Sequence, residues 1–226
     1  MVKIGLLTQN LRGAKQRGLF AKLLHEFSKW RDTHGINVLC AQEHNLDPKD
    51  KAALERLATS KGMTAAISFA PANNAGEFPG GVMLIFDNKM LTLKSVTHNF
   101  DGYIAATAEW GGTIVEVAGV YAPSTNDGTV REDFFASLKG KVTKDTIAGG
   151  DYNCVPDVTL DVESRNPLAY PNKGAAKLAE TYSEVGLVDE RRNQLGNEHE
   201  PTRKGIYNGR ATTTRIDGGM FPPREG

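Results

Sequence analysis

The sequence predicts an α/β protein arranged as a four-layer sandwich, in which two packed, mostly antiparallel sheets are covered by outer helices. Three observations carry this expectation. The middle of the chain is a succession of strand-like stretches separated by Gly, Asn or Asp. Stretches of helical period occur before and after it, at the intervals a layered α/β protein requires. The 226 residues contain no linker, internal repeat or low-complexity tract, so residues 1–226 are expected to form a single domain.

The elements follow in order. Val2 to Thr8 alternates and reads as a strand. Gln16 to His34 reads as a helix, with apolar residues at Leu19, Phe20, Leu23, Leu24, Phe27 and Trp30 and Gly35 where a C-cap glycine belongs. Ile36 to Ala41 is a continuous apolar run, expected as a buried strand. Pro48 to Ser60 is a second helix, with Asp47 as N-cap and proline in first position. Met63–Ser68, Gly81–Phe86, Leu91–Val96, Tyr103–Trp110 and Thr113–Val120 are strands, and Glu109 to Thr113 carries a hairpin turn. Glu132 to Lys139 is a short helix, Asp145–Ala148 a buried strand, and Asn172 to Val185 a third long helix closed by Gly186. From Gln194 onward the chain is polar and Gly-rich, with short strand pieces.

Composition narrows the function classes. At 39% hydrophobic and 24% charged, this is ordinary globular composition. The 27 basic and 27 acidic residues cancel, which excludes a nucleic-acid packaging protein but leaves room for a local basic rim around an acidic centre. Cys40 lies in an apolar run, neither it nor Cys154 belongs to a zinc-type spacing, and two isolated thiols fit a reducing, intracellular compartment. The N-terminus is too short for a secretory leader. No window approaches the ~18 apolar residues of a membrane span.

Five segments stand at the ends of expected strands, where loops gather into sites: Thr8-Gln9-Asn10, Gln42-Glu43-His44, Gly119 to Pro123, Gly149 to Asn153 and Thr214 to Asp217. Their side chains suit phosphodiester hydrolysis. A carboxylate such as Glu43 can hold a hard cation, which neutralises charge on a phosphate. Asp151 can serve an attacking water as base or orienting group. Asn10 and Asn153 offer neutral amides, and Tyr121 a phenol donor. Each residue alone has an ordinary reading. Asn10 and Gly150-Asp151-Tyr152-Asn153 are good turn compositions, Glu43 is a solvated loop carboxylate, Tyr121 is a core-edge aromatic, and Asp217 pairs with Arg215. His44 is read as a loop residue beside the site, and His25 and His34 as exposed on the first helix.

In order and spacing, the segments resemble the signature of the endonuclease/exonuclease/phosphatase superfamily: an Asn after the first strand, Gln-Glu, Tyr-x-Pro, Gly-Asp-Phe-Asn and Arg-Ile-Asp. Here they are Asn10, Gln42-Glu43, Tyr121-Ala-Pro123, Gly150-Asp-Tyr-Asn153 (Tyr152 standing where Phe is usual, read as tolerated packing) and Arg215-Ile-Asp217. The resemblance implies that fold, with Glu43 and Asn10 at a Mg²⁺ (or Mn²⁺) ion and Tyr121 against a phosphate. It also implies that Asp151 orients or deprotonates the water, that Asn153 is a phosphate donor and that Asp217 orients a catalytic histidine. Further on, Leu160-Asp161, Leu187-Val-Asp189 and Thr202 resemble the endonuclease domains of non-LTR, LINE-type retrotransposons, with Thr202 at their site Thr/Ser. For Asp189 the preferred reading is an ion pair with Arg191 or Arg192.

That resemblance implies a DNA-nicking enzyme of target-primed reverse transcription, fused in relatives to a reverse transcriptase and acting in the nucleus, with no membrane role. Candidate DNA-facing groups are Arg12, Lys15, Arg17, Asn73, Asn74, Arg203, Lys204 and Arg210, all with exposed-surface readings as well. An abasic-site endonuclease, another phosphodiesterase of the fold, and a catalytically impaired DNA-binding remnant remain open. The family's final Ser-Asp-His does not occur, and two prolines interrupt the stretch after Asp217. The chain is therefore expected to be C-terminally truncated relative to the family. Loss of a catalytic imidazole and a metal carboxylate costs orders of magnitude in rate, so weak or no cleavage is expected. Glu43-dependent nicking at the rate of full-length relatives, measured on supercoiled plasmid, would overturn that expectation.

Overall fold

A computed structural model describes residues 4–13, 17–125, 127–163, 168, 170, 172–196, 198, 199, 201–207 and 210–223, with the backbone alone at 17, 128, 195, 203–207 and 210–214. The chain forms two compact units, Met1–Tyr121 with Ile147–Gly150, and Ala122–Thr146 with Asp151–Gly226.

The first unit opens with β1 (Leu6–Asn10), α1 (Arg17–His34) and β2 (Val38–Gln42). The two strands pair in parallel, Leu6 with Val38 through Asn10 with Gln42, so both run out at the same sheet edge. A 3₁₀ turn at Pro48–Asp50, capped by the Asp47 side chain on Lys49 N, leads into α2 (Lys51–Ser60). The expected Pro48–Ser60 helix is therefore two segments. β3 (Met63–Ser68) and β4 (Val82–Asp87) complete a sheet of order β1-β2-β4-β3.

This sheet is apolar on both faces, because β2 and β4 sit between two layers. On one face Leu39, Ala41, Met83 and Ile85 bury Phe20, Leu24 and Phe27 of α1 and Leu54 and Ala58 of α2. On the other, Val38, Cys40, Val82, Leu84 and Phe86 pack on Ile104, Ala106, Ala108 and Val117 of a second sheet. That sheet contains β5 (Thr92–Phe100), β6 (Tyr103–Trp110) and β7 (Thr113–Tyr121) as antiparallel neighbours, with β8 (Thr146–Asp151) beside β7. The β6–β7 hairpin turns on Gly111 (φ 56°) and Gly112 (φ 83°), the positive pair a two-residue turn demands.

β5 runs past the Leu91–Val96 expected from alternation. Bulges between Leu93 and Ser95 and between Val96 and His98 reset its register, so the apolar spacing is lost while the pairing continues to Phe100. At the other end of the sheet, a Cβ on Gly150 would land on the Val120 carbonyl oxygen.

In the second unit, α3 (Gly128–Ser137) begins earlier than the expected Glu132, because Asp127 caps it by accepting from Thr129 N. α4 (Val158–Asp161) and β9 (Val162–Glu163) follow. α5 (Ala175–Ser183) starts later than the expected Asn172. Gly174 is left-handed (φ 91°) against Arg131, and the Asn172 amide makes both of its bonds to the Val155 backbone, each 2.8 Å. Phe135, Tyr152 and Tyr182 stack between α3 and α5. β10 (Val188–Asp189), α6 (Glu190–Leu195), β11 (Arg203–Tyr207), β12 (Arg210–Thr214) and β13 (Asp217–Phe221) close the unit. β12 pairs with β11 and β9, and β13 with β10.

β13 corrects one expectation. The prolines do not interrupt the strand after Arg215-Ile-Asp217; they follow Phe221, where pairing has ended. Among the described residues no helix is long and apolar enough to cross a membrane.

His44 is, as expected, a loop residue next to Glu43, and its side chain is fully buried in the first unit. Burial pushes its pKa from the ordinary 6.5 down to about 4, against a raising hydrogen bond to the Ser68 backbone. The folded state thus refuses a proton that the unfolded chain accepts. Its contribution is complete above the unfolded pKa and is lost as pH falls through 6.5 toward 4, to a total of about 3 kcal/mol. Urea midpoints at about pH 7.5 and about pH 4.5 should therefore differ more for the wild-type chain than for His44→Gln; equal differences would contradict it.

Candidate active site

The parallel register of β1 and β2 places Asn10 and Glu43 side by side as the chain leaves the sheet. Leu11 N donates to Gln42 O at 2.8 Å and Gly13 N to Glu43 O at 2.8 Å, tying the two exit loops together. Asn10 Nδ2 donates to Glu43 Oε1 at 2.8 Å, and Asn10 Oδ1 accepts from Arg12 N at 2.9 Å. Tyr121, the last residue of β7, donates its hydroxyl to the same Oε1 at 2.9 Å. The Tyr121 ring approaches closely because Gly80 has no side chain; a Cβ there would lie 3.3 Å from Tyr121 Cε1.

Both donors to Glu43 converge on one oxygen, which leaves Oε2 open among the described residues. A single carboxylate oxygen beside amide oxygens is hard-donor chemistry. It suits a Mg²⁺-sized ion that keeps most of its water shell rather than a thiol- or imidazole-bound metal. No group of three or more His, Cys, Asp or Glu that could hold a metal occurs among the described residues.

The second unit holds the other expected residues. Asp151 ends β8 and is 2% exposed. Its Oδ1 accepts from Asn153 N at 2.9 Å, and its carbonyl accepts from Ala122 N at 2.9 Å. Asn153 is left-handed (φ 49°) and donates through Nδ2 to Ala122 O at 2.8 Å. Tyr152 points the other way, into the aromatic stack, where its hydroxyl meets that of Tyr182 at 3.4 Å. Beneath, burial pushes the Cys154 thiol up to about 12, with Asp151 adding to and Arg131 opposing the shift; this is an unreactive thiol.

Asp217 stands at the start of β13. Ile216 N and Asp217 N both donate to Thr202 Oγ1, at 3.1 and 3.2 Å, so the Thr202 hydroxyl holds the backbone of the Arg215-Ile-Asp217 segment. Tyr152 N donates to Ile216 O at 3.0 Å. Arg215 is 1% exposed and takes Asp161 and Asp189 as partners: Nε to Asp161 Oδ1 at 2.7 Å and Nη2 to Asp189 Oδ2 at 2.7 Å. Burial alone would lower its pKa, but the two carboxylates raise it above the ordinary range. Arg192 Nη2 also contacts Asp161. Asp189 caps α6 through Arg192 N at 2.9 Å, so its ion-pair partner is Arg215, not Arg191 or Arg192 as expected. Residue patterns gave Asp161 no role of its own; the only signal was its place in the Leu-Asp pair after Asn153.

The expected DNA-facing groups divide. Arg12 is exposed and left-handed (φ 49°) beside Asn10. Asn73 and Asn74 lie in an exposed turn of their own, where Asn73 Oδ1 accepts from Ala75 N and Glu77 N, each 2.9 Å. Lys15 lies outside the described residues, as do the side chains of Arg17, Arg203, Lys204 and Arg210.

No family model and no curated protein matches the sequence. Solved structures do match. The chain is similar to the endonuclease domain of TRAS1, a telomere-specific non-LTR retrotransposon, at 16% identity over 97% of this chain and 85% of that one, with a TM-score of 0.60. It is similar to the AP endonuclease LMAP from Leishmania major, at 14% identity over 96% and 78%, with a TM-score of 0.65. A third likeness is to an endonuclease/exonuclease/phosphatase family protein from Leptotrichia buccalis, at 14% identity over 98% and 88%, with a TM-score of 0.54. With helices on a sheet, that sheet on a second one, and the signature residues at strand ends, the chain has the endonuclease/exonuclease/phosphatase fold, a four-layer α/β sandwich.

Proposed function

We propose that the chain is a divalent-metal-dependent DNA endonuclease, one that hydrolyses a phosphodiester, leaves a 3′-hydroxyl and nicks target DNA for target-primed reverse transcription. The observation that carries this reading is the Glu43 carboxylate, gripped through Oε1 by Asn10 and Tyr121 while Oε2 stays available. The likeness to a retrotransposon endonuclease domain over nearly the whole chain supports it. In that setting the chain acts in the nucleus alongside a reverse transcriptase.

Glu43 would hold the ion, Mg²⁺ in preference, with Asn10 completing the polar wall around it. When bound, the ion neutralises phosphate charge and acidifies water. The chain's own groups do the rest. Asp151 accepts the proton of the attacking water, and burial keeps its carboxylate in one place. Asn153 offers an amide to a phosphate oxygen, and Asp217, backed by Thr202, orients a proton-transfer partner. Tyr121 has one hydroxyl proton, and it is committed to Glu43, so in this arrangement Tyr121 positions the carboxylate instead of contacting phosphate. Arg12, exposed beside Asn10, would meet the DNA backbone, a contact that weakens with salt.

A second reading, an abasic-site endonuclease, draws on the superposition with LMAP. Plasmid carrying abasic sites separates the two, since only that activity cuts it much faster than intact plasmid.

With supercoiled plasmid and Mg²⁺ or Mn²⁺, the chain is expected to give slow nicking that EDTA abolishes. Glu43→Ala should lower it about a hundredfold or more. Asp151→Asn should lower it by about 10²–10⁴ at saturating metal, with metal affinity unchanged. Nicking that persists in EDTA, or nicking indifferent to Glu43, would overturn the proposal.

A further inference from the structure

Glu43 sits in an unusual stretch of backbone. It and Asn45 are both left-handed, φ 52° and 51°, a conformation that bulky L-residues avoid unless their surroundings enforce it. Part of the enforcement is main-chain. Glu43 N donates to Gly81 O at 3.0 Å and Asn45 N to Gly80 O at 2.9 Å, while Gly80 N donates back to Asn45 Oδ1 at 2.6 Å. The rest comes from the residue between them.

The His44 ring is fully buried, and each of its nitrogens has a defined job. Leu46 N lies 3.0 Å from Nδ1. An amide N–H can only donate, so Nδ1 is the bare nitrogen and the proton rests on Nε2. Nε2 then donates to Ser68 O, 2.9 Å away at the end of β3. The Phe69 ring meets the imidazole edge-on, centroids 5.6 Å apart at 82°. Opposite, a Cβ on Gly81 would land on the imidazole, and Gly81 is itself left-handed (φ 83°). The side chain of His44 thus pins the loop to β3 and to the Gly80–Gly81 turn, while the side chain of Glu43 emerges toward Asn10 and Tyr121.

We propose that His44 is a positioning residue for Glu43 and sets the chain's affinity for a divalent cation, without touching that cation; this rests on the reading of Glu43 as cation ligand. Asn10 and Tyr121 fix the carboxylate from outside, and His44 fixes the backbone from which it springs. Ligand-orienting groups of this kind govern metal affinity by about tenfold to a hundredfold.

Two substitutions separate the two bonds. His44→Asn keeps an acceptor where Nδ1 stands but cannot reach Ser68 O. His44→Gln keeps a donor near Nε2 but loses the acceptor for Leu46 N. Mn²⁺ binding is read from the free-ion electron paramagnetic resonance signal, with the folded fraction of each variant taken from its urea curve without metal. A merely structural role lowers the folded fraction but leaves the affinity of the folded fraction unchanged. The expected result is Glu43-dependent Mn²⁺ binding by the wild-type chain, weakened about tenfold or more in the folded fraction of both variants. Folded variants that bind within about twofold of wild type overturn the proposal. Variants that do not fold at all make His44 a folding residue and overturn it equally. A wild-type chain whose Mn²⁺ binding survives Glu43→Gln removes the metal reading itself, a different failure from loss of the His44 role.

Discussion

The parallel pairing of β1 with β2 is the constraint on which the first unit's chemistry depends. Parallel neighbours end at the same edge, and the register of Asn10 opposite Gln42 brings an amide and the next residue's carboxylate within 2.8 Å. A slip of one residue would turn Asn10 to the opposite face of the sheet. The slip is blocked because both faces of β2 are buried, Leu39 and Ala41 under the helices and Val38 and Cys40 against the second sheet. The hydrophobic core therefore fixes the register, and the register fixes the polar contact.

What leaves the sheet is held by backbone geometry more than by charge. Arg12, Glu43, Asn45 and Asn153 are the non-glycine residues with positive φ among the described residues, and all four stand next to or within the signature segments. Each is held by a short hydrogen bond from its own main-chain N–H: Glu43 and Asn45 to the Gly81 and Gly80 carbonyls, Arg12 to the Asn10 amide oxygen and Asn153 to the Asp151 carboxylate. Strain at these positions has value only if a side chain has to point somewhere the relaxed chain would not send it. In the second unit, charge takes the larger part: Arg215 carries the Ile216–Asp217 segment on two carboxylates, the buried Asp161 and the partly buried Asp189.

Much of this was legible in the residues. Apolar period located α1, α2 and most strands, because burial on one or both faces writes itself directly into sequence. The strand-end positions of Asn10, Glu43, Tyr121 and Asp151 followed from those boundaries. Other features stayed hidden for physical reasons. The bulges of β5 break alternation without breaking pairing. The burial of the loop residue His44 was not legible because it depends on Gly81 and Ser68, 37 and 24 positions away. The Arg215–Asp161 pair spans 54 positions, and nothing local in either segment names its partner. The strand at Asp217–Phe221 has little apolar signal, being held by pairing with β10.

The bulged strand β5 has one more consequence. It is the outermost strand of its sheet, and among the described strands nothing pairs with its outer side. A straight, apolar strand in that place would offer its free amides and carbonyls as a template to any other copy of the chain. Two bulges coil it instead, and Lys94, paired with Glu109, sets charge along it. Val96, half-exposed there, is thereby denied a flat neighbour to zip against. The irregularity that made β5 hard to read is the kind of edge distortion that disfavours pairing with another strand.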